Sequence, residues 1–148
     1  MPDLDHDRWM RRAIELAYRS PNSVTAFAVG AVIVTPEGQV IAEGYSRDDD
    51  PHVHAEESAL IRAAGDPRLA TATLYSTLEP CTARHSRHVT CTNLIIAAGI
   101  PRVVIAWREP DIFVTCEGVA TLTAAGIEVI ELPELADLAR GANAHLGL

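Results

Sequence analysis

The sequence contains no lysine: all twelve cationic residues are arginine, against twenty acidic residues, and the formal net charge at pH 7 is −8. A chain this acidic lacks the many cations that nonspecific binding to nucleic-acid phosphates requires. It also lacks the polybasic surface that anionic membranes attract, and no apolar run approaches the roughly eighteen residues that span a bilayer. We therefore expect no nucleic-acid partner, no membrane partner and, because the first residues are acidic and polar rather than signal-like, a cytoplasmic location.

Cysteine is also scarce, with three residues in the chain. An odd, low count in a chain with cytosolic character favours metal binding or catalysis over a disulfide framework. The length of 148 residues fits a single domain over residues 1–148, and the apolar fraction of 48% is too high for a disordered chain.

Apolar periodicity predicts alternating helices and strands. Asp7 is the expected cap of a first helix that runs to about Arg19. The later predicted elements are strands at 27–34 and 39–45, a helix at 54–64, a strand at 72–78, a helix at 91–98, a strand at 102–107, a helix at 114–125, a strand at 127–132 and a terminal helix from Pro133. Strands separated by helices pair in parallel, and the opening hairpin adds antiparallel pairing. The pattern predicts a three-layer α/β/α fold with a five-stranded mixed sheet.

Three segments carry residues with metal or acid–base chemistry: His54-Ala55-Glu56 at a helix start, Thr77 to Cys81 at a strand end, and Cys91 at the next helix start. One imidazole and two thiolates form a soft ligand set that suits zinc. Three protein ligands leave a position for water, whose pKa zinc lowers. Glu56 follows His54 by two residues and can transfer protons without being a ligand.

Each of these residues taken alone has a simpler interpretation. A single histidine is more often a surface or core residue than a ligand, and a buried cysteine, such as Cys116 in a predicted helix, usually packs as a small hydrophobe. The order of these residues along the chain favours a metal site, because a histidine, a nearby glutamate and a later Pro-Cys pair match the zinc-deaminase signature. We therefore predict His54, Cys81 and Cys91 as zinc ligands and Glu56 as the catalytic acid and base.

From about Phe27 to Ile130 the sequence resembles the cytidine-deaminase-like zinc deaminases. The nine residues between Cys81 and Cys91 make it most similar to the riboflavin-pathway pyrimidine deaminases, with motif spacing of the fungal type. The matching strings are Gly44-Tyr45-Ser46-Arg47, Glu79-Pro80-Cys81, Arg108-Glu109-Pro110 and Ala125-Gly126-Ile127. The resemblance implies the cytidine-deaminase-like fold, a homodimer or larger homo-oligomer, and a diaminopyrimidinone substrate that carries a ribosyl or ribityl 5′-phosphate. In that reaction a ring amino group is replaced by oxygen.

The spacer between the two cysteines is cationic. No acidic residue occurs from Pro80 to Trp107, whereas Arg84, Arg87 and Arg102 lie within that range together with His85 and His88. Arginine suits bidentate phosphate contact, so Arg84, Arg87 and His88 are predicted substrate-binding residues. The alternative is a solvated loop whose arginines pair with surface acids.

Other residues near the motif are predicted to contact substrate. Phe27 could stack on the pyrimidine ring, or it could be ordinary core. Ser46, Arg47 and His52 precede the motif histidine and could line the pocket mouth, or they could be simple loop residues. Asn22 could contact the ring, although a turn role is the simpler interpretation.

The leading functional hypothesis is a zinc-dependent hydrolytic deaminase of the riboflavin pathway that releases ammonia. A second is a deaminase of another free base, nucleoside or nucleotide, of the cytosine, cytidine, dCMP or guanine type. A third is a nucleic-acid editing deaminase, which the acidic charge disfavours. A fourth is a structural zinc module without activity, in which Glu56 would have no task.

Overall fold

The computed structural model describes residues 5–23, 26–48, 50–82, 90–108, 110 and 117–146. Five helices and five strands are defined within these ranges: α1 (His6–Ala17), β1 (Gly30–Val34), β2 (Val40–Tyr45), α2 (Ala55–Arg62), β3 (Thr73–Leu78), α3 (Cys91–Ala98), β4 (Arg102–Trp107), α4 (Gly118–Ala124), β5 (Glu128–Glu131) and α5 (Ala136–Gly141). Short 3-10 helices occur at Pro67–Thr71, Pro133–Leu135 and Ala144–Leu146. Within the described ranges, no helix has the length and apolar character needed to cross a membrane.

The strands form one mixed sheet in the order β2-β1-β3-β4-β5. β1 pairs antiparallel with both β2 and β3, whereas β3, β4 and β5 run parallel. Every residue of β3 is buried, as expected for a central strand covered on both faces. The predicted five-stranded mixed sheet is therefore confirmed, and the carboxyl ends of β2, β3 and β4 lie at the same edge as the start of β1.

The helices cover the two faces of the sheet. α1 packs on β1 and β3, with α5 beside it. α2 packs on β1 and β2 from the other side, and α3 and α4 follow it there. Gly30 faces α1, and a Cβ at this position would lie 1.8 Å from the Ala13 carbonyl oxygen. Gly44 faces α2, and a Cβ there would lie 2.6 Å from the Ala55 carbonyl oxygen. Neither position therefore has room for a side chain.

Several element boundaries differ from the prediction, most by one to three residues. Asp5, not Asp7, caps α1 and accepts a hydrogen bond from the Arg8 amide, while Asp7 lies in the first turn and pairs with Arg11. β1 begins at Gly30 rather than at Phe27, because the amides of Ala28 and Val29 donate to the side chains of Asn143 and Ser46 instead of to the carbonyls of a neighbouring strand. The predicted start of the fourth helix at Val114 lies outside the described residues, which place α4 from Gly118 onward.

Candidate metal centre and substrate pocket

His54 is held by the start of α2. It is the N-cap residue, in extended conformation, and its backbone N–H donates to a carboxylate oxygen of the buried Glu57 at 3.2 Å. This contact is one half of a capping box, which fixes the direction in which the chain enters the helix. Because Gly44 has no side chain, the first turns of α2 lie directly on β2, and His54 is brought to the edge of the sheet.

Cys81 follows β3. The Glu79 amide donates to the Trp107 carbonyl at 3.0 Å, so the contact between β3 and β4 continues past the end of the strand. Thr92, in the first turn of α3, then fixes Cys81: its hydroxyl and its amide both donate to the Cys81 carbonyl oxygen, at 2.7 and 3.2 Å. The Cys81 backbone is thus tied to the sheet and to α3.

Cys91 is the first residue of α3, after the N-cap Thr90, whose hydroxyl accepts from the Asn93 amide. The backbone amide of Cys91 donates to the Cys81 sulfur, with 3.4 Å between N and Sγ. Since a helix N-terminus carries partial positive charge, this arrangement favours a thiolate at Cys81. Both cysteines are buried, and His54 is half-buried.

The ligand atoms of His54, Cys81 and Cys91 lie within 4.8 Å of one another. His54 Nδ1 is 3.6 Å from the Cys81 sulfur and 3.3 Å from the Cys91 sulfur. Nitrogen and sulfur ligands about 2.0 and 2.3 Å from a tetrahedral zinc ion would be about 3.5 Å apart. The donor set and its spacing therefore fit zinc, and the predicted convergence of these three residues is confirmed.

Electrostatics support the same assignment. The pKa of the Cys81 thiol is lowered, chiefly by its hydrogen bond with the Cys91 side chain and further by His54, although burial acts in the opposite direction. A lowered pKa favours the thiolate, which is the form that binds a metal.

Glu56 lies in the first turn of α2, two residues after His54, and is buried.

Glu79 is a second buried carboxylate near the motif. One of its oxygens accepts from the Val119 amide at 2.8 Å, and a Cβ on Gly118 would lie 2.1 Å from the Pro80 carbonyl oxygen. The start of α4 is therefore packed tightly against the segment that carries Cys81.

Five of the residues predicted to contact substrate are described, namely Asn22, Phe27, Ser46, Arg47 and His52. Ser46 is buried, and its hydroxyl accepts from the Val29 amide at 2.9 Å. Phe27 is buried in the core and meets Trp107 edge-on, with ring centroids 5.9 Å apart. His52 is exposed, and its amide donates to Asp50. The substrate contacts expected of these residues stay predictions.

Arg84, Arg87 and His88 lie outside the described residues, as do His85 and Cys116. Arg102, which the sequence places in the same cationic stretch, lies at the start of β4 and pairs with Glu128 at the beginning of β5. This is the sheet edge opposite the metal residues, so Arg102 does not belong to a cationic cluster at the site.

Sequence reasoning missed the supporting residues Glu57, Thr92 and Asn143. Glu57 had a readable signal, because an acidic residue three positions after a helix cap is typical of a capping box. Asn143 had none: its side-chain amide bonds both the N–H and the C=O of Ala28, 115 residues earlier in the chain, at 2.6 and 3.1 Å.

Comparison with known proteins gives consistent matches. The family model described as "Cytidine and deoxycytidylate deaminase zinc-binding region" matches residues 4–107. The diaminohydroxyphosphoribosylamino-pyrimidine deaminase of Schizosaccharomyces pombe is 43% identical over 135 residues, which cover 88% of this chain and 33% of that protein. The riboflavin biosynthesis protein RibD of Escherichia coli is 40% identical over 134 residues, 85% of this chain and 33% of that protein. This chain thus spans about a third of these relatives.

Solved structures agree. A diaminohydroxyphosphoribosylaminopyrimidine deaminase and 5-amino-6-(5-phosphoribosylamino)uracil reductase from Thermotoga maritima has a TM-score of 0.79 and 38% identity, covering 93% of this chain and 38% of that one. The Rib2 deaminase of Aspergillus oryzae, a C-terminal deletion mutant, has a TM-score of 0.75 and 26% identity, with 98% of this chain and 100% of that one covered.

Proposed function

Because the chain belongs to the cytidine and deoxycytidylate deaminase zinc-binding family, we propose that it is a zinc-dependent hydrolase that replaces a pyrimidine amino group with oxygen and releases ammonia. The observation that carries the proposal is the convergence of His54, Cys81 and Cys91, with Glu56 buried in the same helical turn that His54 caps. His54 through Nδ1 and the two cysteines through sulfur are the proposed zinc ligands. Zinc in such a site activates water as a nucleophile near neutral pH.

Glu56 is the proposed general base and acid. Its carboxylate takes a proton from the attacking water as a bond forms between oxygen and the ring carbon that bears the amino group. It delivers this proton to the ring nitrogen, then takes the second proton of the former water from the new hydroxyl as the carbonyl forms. Glu56 passes that second proton to the departing amino group, so that the C–N bond breaks and ammonia leaves. The burial of Glu56 keeps bulk water from competing for these protons.

The proposed substrate is diaminohydroxyphosphoribosylamino-pyrimidine or its ribitylamino counterpart, which places the reaction in riboflavin biosynthesis. The 43% identity to the Schizosaccharomyces pombe deaminase supports this substrate class. Arg84, Arg87 and His88 remain the predicted anchors of the 5′-phosphate. Assembly as a homodimer or larger homo-oligomer and a cytoplasmic location are further parts of the proposal.

The test is ammonia release by the zinc-loaded chain across a substrate panel. The panel holds the ribosylamino and ribitylamino diaminopyrimidinones, each with and without the 5′-phosphate, and cytosine, cytidine, dCMP and guanine. We expect turnover of a phosphorylated diaminopyrimidinone, at a kcat/KM at least about a hundredfold above that of any other member. Preferential turnover of a free base or nucleoside would replace the substrate proposal, and zinc binding without turnover of any member would contradict the proposed activity.

A further inference from the structure

Arg47 lies two residues after Tyr45, the last residue of β2, and its guanidinium connects it to the segment that precedes β1. It has a φ of 58°, a left-handed conformation that residues other than glycine seldom adopt. Its backbone amide donates to the Val53 carbonyl at 2.8 Å, next to the N-cap His54. The side chain turns the other way, toward the segment that precedes β1.

The guanidinium cross-links the backbone of that segment. Nε and Nη2 both donate to the Pro21 carbonyl oxygen, at 3.0 and 2.6 Å. Nη2 also donates to the Ser20 hydroxyl at 3.0 Å, and Nη1 donates to the Phe27 carbonyl at 3.3 Å. One side chain therefore joins the two described ends of the connection between α1 and β1.

No carboxylate among the described residues forms an ion pair with Arg47. Its acceptors are two carbonyls and one hydroxyl, and burial lowers the pKa of its guanidinium. A half-buried cation without an acidic partner is costly, so its hydrogen bonds to the backbone must supply the compensation. Arg47 thus shapes this segment rather than joining surface charges.

The segment that Arg47 holds is linked through Trp107 to the chain that leads to Cys81. Phe27 packs edge-on against Trp107, and the Trp107 carbonyl accepts from the amide of Glu79, two residues before Cys81. On its other side the segment is held by Asn143, whose amide group bonds Ala28 in both directions. Residues 20–23 and 26–28 therefore sit at the same sheet edge as the metal residues.

We propose that Arg47 is a positioning residue that holds residues 20–23 and 26–27 as one wall of the substrate pocket, and this inference rests on the proposed function. Four of the five N–H donors of the Arg47 guanidinium have acceptors in the protein. Arg47 therefore contributes to substrate binding by fixing the geometry of the wall, and not by a direct hydrogen bond to the substrate phosphate. The wall would then contribute to binding of the pyrimidine, while the metal residues stay in place without it.

The test replaces Arg47 in the zinc-loaded chain by lysine and, separately, by glycine. Lysine keeps the charge but cannot reach three acceptors from one planar group, and glycine keeps the left-handed backbone without the side chain. We expect KM to rise about tenfold, the loss that follows from removing hydrogen bonds of a charged group. The rise should be the same for substrates with and without phosphate, with kcat within about twofold and zinc content unchanged.

Arg68→Lys is the matched control, because the guanidinium of Arg68 also makes several hydrogen bonds, but these bonds are to Asp66, two residues away on the surface. Amide hydrogen exchange without substrate gives a second, independent measurement: exchange should increase at residues 20–23 and 26–28 in both Arg47 variants and not in the control.

Three results would overturn the proposal. These are an unchanged KM in both variants, a KM rise confined to phosphorylated substrates, which would make Arg47 a direct phosphate ligand, or unchanged exchange in the segment. Failure of the proposed function would look different, because the wild-type chain would then turn over no panel member, whereas the exchange measurement would still judge the contact between Arg47 and the segment.

Discussion

Gly44→Ala tests how the position of His54 is maintained. An added Cβ would lie 2.6 Å from the Ala55 carbonyl oxygen, 2.7 Å from the Ala59 amide nitrogen and 2.8 Å from the Ser58 Cβ. Two of these three neighbours are helix backbone, which cannot rotate away as a side chain can. The first two turns of α2 must therefore move off β2 as a unit.

The size of the movement sets the expected effect. Restoring an ordinary contact of 3.4 Å requires α2 to retreat by about 0.8 Å. Overpacking of this kind costs about 1–3 kcal/mol, and each kcal/mol lowers the Tm by about 2–4 °C in a chain of this size. Metal–ligand distances tolerate only about 0.2 Å, so we expect zinc affinity to fall as His54 moves with the helix that it caps.

The assay is competition for zinc against a chelator of known affinity, together with thermal unfolding with and without zinc. Gly141→Ala is the matched control: its Cβ would meet the end of the Tyr18 side chain at 2.2 Å, but Tyr18 is exposed and can turn away. Wild-type zinc affinity in Gly44→Ala, or an equal loss of affinity in the control, would refute the idea that close packing of α2 on β2 positions the ligand.

Three further predictions concern Glu56, Glu57 and Glu131. Glu56→Gln should retain zinc, measured by elemental analysis, and lower the turnover number by about 10²–10⁴, the usual contribution of a general acid and base; normal turnover would assign proton transfer to another group. Glu57→Ala should weaken zinc binding by about 10–100-fold, as loss of a residue that orients a ligand does, since the His54 amide loses its acceptor; unchanged affinity in a chelator competition would contradict this. Finally, the pKa of Glu131 is lowered by its hydrogen bond with Arg108. The pair therefore stabilises the fold at pH values above the ordinary glutamate pKa of about 4.3, and this stabilisation is lost as the pH falls through the lowered pKa of Glu131. Glu131→Gln should therefore show a smaller drop in Tm between pH 6 and pH 3 than wild type, by a small margin because the pair is exposed, and an identical drop would disprove the contribution.

Most of the fold could be predicted because its signals are local. The helix at 91–98 and the strand at 102–107 have the predicted bounds, since a threonine cap, a glycine end and an unbroken apolar run lie within a few residues of them. The start of β1 could not be predicted. Residues 27–29 have a strand-like sequence, but Val29 bonds Ser46 and Ala28 bonds Asn143 through side chains, and no local pattern indicates those distant partners.

The residues of the candidate site also fall into those with local sequence signals and those without. His54, Cys81 and Cys91 are recognisable because each lies at or close to the end of an element, where topology brings the ends of neighbouring elements together. The sequence indicates Arg47 only as a possible pocket residue, because the acceptors of its guanidinium lie 20 to 27 residues earlier in the chain. Reading its role required the three-dimensional path of the segment before β1.

The metal residues and the proposed substrate wall are held by different parts of the chain. The metal residues are fixed by neighbouring parts of the chain: Glu57 holds His54, and Thr92 holds Cys81. The proposed substrate wall is instead fixed by Arg47 and Asn143, which reach it from separate elements. Chains can therefore share the metal motif while differing in the wall, and the motif alone specifies the reaction without specifying the pyrimidine. Under the proposed role of the wall, a substrate panel measured on Arg47 variants therefore probes the choice of substrate more directly than any substitution of the metal ligands.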